Sequence, residues 1–408
     1  MKKNTYYNET DVGNIPTETL VGLVSGVMDI SSTVVGKDNE LLRMRGRLFV
    51  ESENAYERLS MEMGQMGFTP LFRIDNDEHL VIVSRSLPTP KTGNPWINVL
   101  LFFVTLITVL YAGSMHSVTS VELLRGIGPS SGIKSIWLIL KLLWTGWPFA
   151  LSLLGILLAH EMGHYFAARR HGASVTLPYF IPLPGGFLGT MGAVIQMRAP
   201  IRNKRVLLDV GVSGPLAGIA VAIPVVVIGL HLSELGPIPF RGFQLEGNSI
   251  MYLAAKYLVF GELLPRPLDY GPMPAFVHWI VFFFTGNPAP AGGIDVFIHP
   301  VALAGWAGML VTGLNLIPVG QLDGGHVLYV LFGESAKLMR PFVMVLLVAL
   351  GFVWSGWWIW AMLLYVFGRR HPELLDEITE LDDYRRSVAF VALILFFLLI
   401  VPVPLRVY

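Results

Sequence analysis

Within the apolar run from Phe149 to Phe166 lies the segment His160-Glu161-Met162-Gly163-His164. On a helix, positions i and i+4 share a face, so the two imidazoles converge. Neutral imidazole nitrogen is a zinc ligand, and a Glu between two such ligands can serve as general base toward water. Ionisable groups are expensive inside a bilayer, so this cluster in an apolar run points to a functional centre at membrane depth. The competing interpretation is a helix end that carries two interfacial His residues.

A later segment supplies a third ligand. It runs Asn315-Leu316-Ile317-Pro318-Val319-Gly320-Gln321-Leu322-Asp323-Gly324-Gly325-His326. Pro318 and Gly320 interrupt the helix, and irregular backbone at membrane depth is tolerated only where protein or a cavity covers it. Asp323 then faces that interior, with no Lys or Arg nearby in sequence to neutralise it. A metal ion would do so. Two His and one carboxylate leave a fourth position open for water, as a catalytic zinc requires.

Composition sets the setting for these residues. Of 408 residues, 53% are hydrophobic and 14% charged, which is more apolar than an average soluble domain. Net charge is zero, so nothing favours nucleic acid as a partner. Cysteine is absent, which excludes disulfides, cysteine proteases and thiolate zinc sites. Residues Met1 to Thr19 are polar and lack the apolar core of a signal peptide, so we expect no cleavage there.

The positioning elements follow from periodicity and hydropathy. Residues 1–95 read as a small soluble α+β module. In it, Arg43 to Val50, Pro70 to Ile74 and His79 to Val83 are strands, and Glu53 to Gly64 is a helix. Residues 96–133 hold a first span (Trp96 to Ala112) and an external loop. Residues 134–335 form the core. An apolar stretch there starts near Ile136, breaks at Thr145-Gly146-Trp147-Pro148 and resumes through Ala168. Spans follow at Val206 to Leu230 and Pro300 to Leu331, with Phe276 to Phe284 too short to cross. Residues 336–408 carry the C-terminal spans, where Pro341 to Phe367 is one long span or a pair around Ser355-Gly356, followed by Val388 to Val401. The pair is preferred. With it and a cytosolic N-terminus, 22 of the 29 Lys and Arg residues fall on the cytosolic side. Arg169 lies five residues past His164, about 7–8 Å along a helix, so the site sits near the cytosolic side.

The two motifs together, H-E-x-G-H in one span and N-x-x-P-x-x-x-L-D-G in a later one, resemble the site-2 protease family of intramembrane zinc metalloproteases. The segments 177–182 (LPYFIP), 189–193 (GTMGA) and 214–218 (GPLAG) are similar to the branch of plastid yellow-green, gravitropism-linked proteins and their prokaryotic relatives. The resemblance covers roughly residues 40 to 370. It implies an α-helical polytopic membrane protein of six to seven spans, with a three-span catalytic core, a re-entrant β-hairpin and the small N-terminal α+β domain. It implies that His160, His164 and Asp323 bind one catalytic zinc, that Glu161 moves protons, and that Asn315 holds or polarises the substrate carbonyl. The partners it implies are the lipid bilayer and single-span membrane proteins, cut in regulated intramembrane proteolysis. The implied location is the cell membrane, multi-pass, with a cytosolic N-terminus.

The amide of Asn315 is a reasonable donor to a tetrahedral oxyanion, though an interhelical hydrogen bond would also explain it. The stretch Leu188 to Arg198, with Ala193 to Met197 β-like, is the hairpin whose edge would pair with an unwound substrate, or else a covered loop. His326 shares the face of Asp323, either supporting the metal or packing between helices. His171 is read as interfacial. Gly211-Val212-Ser213-Gly214 matches the G-x-S-G of rhomboid serine proteases, but small residues for close helix approach explain it better. A transporter relay and an inactive scaffold are the rival functions. Neither a repeat of broken helices nor a damaged core motif favours them.

Overall fold

The computed structural model describes residues 17–36, 40–85, 93–117, 132–368 and 373–408. Residues 1–16, the loop holding Arg125, and Arg369 and Arg370 lie outside the described residues, and with them part of the charge-based topology. The chain divides into two units.

The first unit gathers residues 1–92, 198–208 and 372–386. Its N-terminal part runs α1 (Thr17–Ser25), β1 (Met28–Val35), β2 (Glu40–Leu48), α2 (Ser52–Gln65), β3 (Phe68–Asp75) and β4 (Glu78–Arg85). Asn76 and Asp77 join β3 to β4 with φ of 52° and 63°, the left-handed pair that a two-residue hairpin turn needs and that Asn and Asp tolerate. Apolar positions four apart on α2, Ala55, Leu59 and Met63, bury against Met44, Phe72 and Val81 of the sheet. Two short strands from far along the chain, β7 (Ile201–Asn203) and β11 (Leu374–Asp376), complete a six-stranded sheet of order β1-β2-β4-β3-β11-β7. The buried Asp376 secures β11. Its carboxylate accepts from Ser52 Oγ at 2.9 Å and from the backbone N–H of Ile378 and Thr379 at 2.9 and 3.1 Å. The unit thus holds more than an N-terminal segment, and α1 and β1 precede the first strand read from sequence.

The second unit is built on helices. Among the described residues, three are long and apolar enough to cross a membrane: α3 (Pro95–Met115), α5 (Trp147–Arg170) and α6 (Lys204–His231), of which Asp209 onward belongs to this unit. The break read at 145–148 is real. α4 (Gly132–Thr145) ends there, and Gly146 sits so close to α3 that a side chain would strike Leu110 O and Ser114 N. Strands β5 (Tyr179–Pro182) and β6 (Thr190–Val194) form an antiparallel hairpin between α5 and α6, so the strand lies earlier than the expected 193–197. After α6 come β8 (Glu234–Pro237), β9 (Gln244–Glu246), α7 (Ile250–Phe260), α8 (Ala275–Thr285) and β10 (Ile294–Phe297).

The stretch expected as one interrupted span is two helices, α9 (Pro300–Asn315) and α10 (Asp323–Phe332). Pro318 and Gly320 (φ 61°) occupy the turn between them. Gly324 and Gly325 let the first turn of α10 pack against the carbonyls of Leu316 and Val319. The stretch 336–367 is likewise a pair, α11 (Ala336–Gly351) and α12 (Gly356–Phe367), before α13 (Asp383–Leu399) and β12 (Leu405–Val407). Its core is held by Phe149, Leu153, Trp306, Trp357 and Leu399.

Candidate metal centre

α5 carries His160, Glu161 and His164 in its C-terminal half, all three buried. The face bearing the two His residues meets α6 at small residues. A side chain at Gly163 would come within 2.5 Å of Ser213 O and 3.0 Å of Ala217 Cβ. A Cβ at Gly214 would overlap the His164 ring, and one at Gly218 would lie 3.1 Å from His160 Nδ1. Small residues therefore let the backbones approach until the imidazoles fill the space a side chain would take.

α9 ends at Asn315 and α10 begins at Asp323, so the broken helix brings both residues to the same place. Asp323 Oδ2 lies 3.3 Å from His160 Nε2 and 3.3 Å from His164 Nε2, and the two Nε2 atoms are 3.2 Å apart. The edge of a tetrahedron with bonds of about 2.0–2.1 Å, the usual length for zinc to nitrogen or oxygen, is about 3.3 Å. The three atoms thus have the spacing of one face of such a tetrahedron. Among the described residues they are the one group of His, Asp and Glu with this convergence. No Lys or Arg among the described residues pairs with Asp323. The donor set suits a divalent ion that prefers nitrogen and carboxylate ligands.

The surrounding bonds orient the set. His164 Nδ1 donates to the Val210 carbonyl at 2.7 Å. That bond places the proton on Nδ1 and leaves Nε2 a free lone pair toward Asp323. The Asn315 Nδ2 atom is 3.3 Å from His160 Nε2. The Glu161 carboxylate lies near the backbone of Ile195, just past β6. Residues 160, 161, 164, 315 and 323, named from sequence, therefore lie together. His326 stands apart from the trio, its Cβ against Gly211. His171 bonds Asp209 at 3.0 Å, and Ser213 Oγ donates to its own helix at Val210 O. Sequence reasoning missed Val210, which acts through its backbone carbonyl and leaves no side-chain signal. It named Gly214 for helix packing without linking it to His164.

The profile described as Peptidase family M50 matches residues 148–354, half of the chain and the stretch that holds every residue of the centre. The chain belongs to this family, the site-2 protease family its motifs resemble. Among its relatives is "Probable zinc metalloprotease EGY1, chloroplastic" of Arabidopsis thaliana, 31% identical over 63% of this chain and 43% of the relative. The EGY1 of Oryza sativa subsp. japonica is 27% identical over 79% and 53%, and "Probable zinc metalloprotease EGY2, chloroplastic" of Arabidopsis is 26% identical over 88% and 59%. The chain spans about half the length of the curated relatives it matches. No solved structure matches it.

Proposed function

We propose that this chain is a membrane-embedded zinc metalloendopeptidase that cuts transmembrane or membrane-proximal segments of single-span membrane proteins. The observation that carries the proposal is the convergence of His160 Nε2, His164 Nε2 and Asp323 Oδ2 at 3.2–3.3 Å, with Glu161 one residue from the first ligand. These three atoms would hold the ion, and a bound zinc would supply Lewis acidity toward water and toward a peptide carbonyl. Glu161 takes a proton from the attacking water and returns it to the leaving amine nitrogen as the C–N bond breaks. Asn315, beside His160, donates toward the oxyanion that develops on the carbonyl. The Val210 carbonyl keeps His164 in the tautomer that presents Nε2.

The substrate helix must unwind before its backbone can be attacked. The β5–β6 hairpin offers an edge for the unwound strand, and β6 packs against α5, which carries the general base. We read the hairpin as re-entrant, and the N-terminal unit and the centre as cytosolic, from the excess of Lys and Arg in segments 1–95 and 169–205. The expected outcome is release of a cytosolic fragment, as in regulated intramembrane proteolysis.

One variant tests the activity. Glu161→Gln should keep zinc, measured by metal analysis of the purified chain, while retaining uncut single-span proteins that co-purify. Zinc-loaded Glu161→Gln that still cleaves would sink the mechanism, and a wild-type chain that takes up no zinc would sink the proposal. The sidedness has its own test, because a chain without cysteine accepts single reporters. Asn76→Cys should react with a membrane-impermeant maleimide from the cytosolic face and Asp269→Cys from the other. Labelling of both from one face overturns the topology.

A further inference from the structure

We infer that α3 is a rack that sets the register of the β5–β6 hairpin against Glu161, and that Asn98 is its principal positioning residue. The inference rests on the activity proposed above. Polar side chains on α3 and its C-cap hold carbonyls of the hairpin and its flanks. Asn98, buried among apolar neighbours, donates through Nδ2 to Leu177 O at 2.8 Å and Pro178 O at 3.0 Å, just before β5. Thr108 Oγ1 donates to Gly189 O at 2.7 Å, just before β6. His116 Nε2 lies 3.0 Å from Phe187 O in the connecting loop, so it donates there. The spacings of ten and eight residues place all three on one stripe of a helix. Packing reinforces the bonds. Phe102 meets Phe180 edge-on at 5.2 Å. Gly189 (φ 74°) lies against the backbone of Thr108 and Val109, where a side chain would not fit.

The open end of the same hairpin, the end that Asn98 holds, reaches the catalytic helix. Tyr179 pairs with Val194, β6 packs against α5, and the next residue, Ile195, lies near the Glu161 carboxylate. The hairpin is two-stranded, and α3 packs along β5. The open edge for an incoming strand is therefore that of β6. A strand slipped by one residue presents the opposite face and the neighbouring peptide bond. The bonds from Asn98 and Thr108 thus fix which bond of the substrate lies beside Glu161, without either residue touching it. A purely structural role for Asn98 would change how much protein folds and not which bond is cut.

The test uses the full chain in liposomes with a mass-encoded library of single-span peptides that carry Gly-Pro breaks. Asn98→Leu should retain zinc, raise amide hydrogen exchange at residues 190–195 by at least about tenfold, and move the cut by one or two residues. Asn98→Gln keeps both N–H donors and should restore the wild-type bond. Thr108→Val, nearly isosteric, should show the same exchange effect more weakly, and it serves if Asn98→Leu does not fold. Unchanged exchange in the hairpin, or an unchanged cut with only a lower yield, overturns the inference. A wild-type chain that holds zinc but cuts no peptide counts against the proposed activity, and the exchange measurement then decides the rack alone.

Discussion

Two buried groups of charged residues in the second unit solve the same problem in opposite ways. At the metal centre, Asp323 meets two imidazoles and no basic side chain among the described residues. In the connection between α6 and α9, Lys256 is fully buried, 3.1 Å from Glu246 and 3.4 Å from Asp295. Tyr252 donates to Glu246 at 3.0 Å and places its ring 4.7 Å from the Lys256 ammonium. The second cluster brings its own cation, and a cavity of about 260 Å³ lined by Glu246 and Asp295 admits water to its remaining negative charge. It is complete as folded and acts as a rivet between β9, α7 and β10. The first is incomplete without an ion. A buried carboxylate without a basic partner is costly unless a cation compensates it, and the proposed zinc would be that cation.

The largest effect should come from removing the charge at the incomplete site. Asp323→Asn keeps the shape of the side chain but removes its negative charge. Loss of a group that only supports a ligand costs about 10–100-fold in affinity, so loss of the ligand itself should exceed about 10³-fold. Zinc content and proteolysis should fall together, while the thermal midpoint of the metal-free chain moves little. A midpoint that collapses would make Asp323 a structural anchor and erase the contrast.

Lys256→Met should do the reverse. It strands two buried carboxylates, and breaking a buried ion pair in this way costs about 3–5 kcal/mol. Denaturant unfolding in detergent should show that loss, with zinc per folded molecule unchanged. If Lys256→Met instead lowers zinc content at constant stability, the two clusters are coupled and the contrast fails. Gly214→Ala belongs between the two kinds of effect. The new Cβ would overlap the His164 ring, so the ligand must move. We expect about 10–100-fold weaker zinc binding with a smaller change in stability. An alanine variant with wild-type zinc affinity would show that α5 and α6 can separate without cost.

The two clusters also differ in how far they could be read in the sequence. His160, Glu161, His164 and Asp323 were legible because each stands out against an apolar background and carries the chemistry itself. Asn315 was legible through the family pattern. The break at Pro318 and Gly320 could be read because both residues oppose helix, and the turn at Asn76-Asp77 because both tolerate positive φ. The rivet left no such pattern. Glu246, Lys256 and Asp295 are separated by 10 and 39 residues, and they meet only because β9, α7 and β10 pack together. The strands β7 and β11 were illegible for a related reason. Each is three residues long, too short to show alternation, and each is recruited by a sheet formed far away in sequence. A contact made by a backbone atom, such as Val210 O to His164, depends on helix placement and on no side-chain type at the acceptor.

The smallest expected effect concerns the pH dependence of the rivet. Burial pushes the Asp295 carboxyl above the ordinary carboxylate range, to about 6, against the opposing pull of Lys256. A carboxyl whose folded value lies above its unfolded value binds its proton more tightly when folded. The stability it contributes is therefore complete below about pH 4 and is lost as pH rises through about 6. A shift of two units sets an upper bound of about 3 kcal/mol, reduced by the water that the cavity admits. Asp295→Asn holds the position permanently neutral while Lys256 keeps Glu246 as its partner, so the variant should lose this slope and match or exceed wild type above pH 6. Unfolding midpoints measured from pH 4 to 7 decide the matter. A slope that survives in Asp295→Asn would assign the titration to another group, and the picture of a charge-complete rivet would need a different third member.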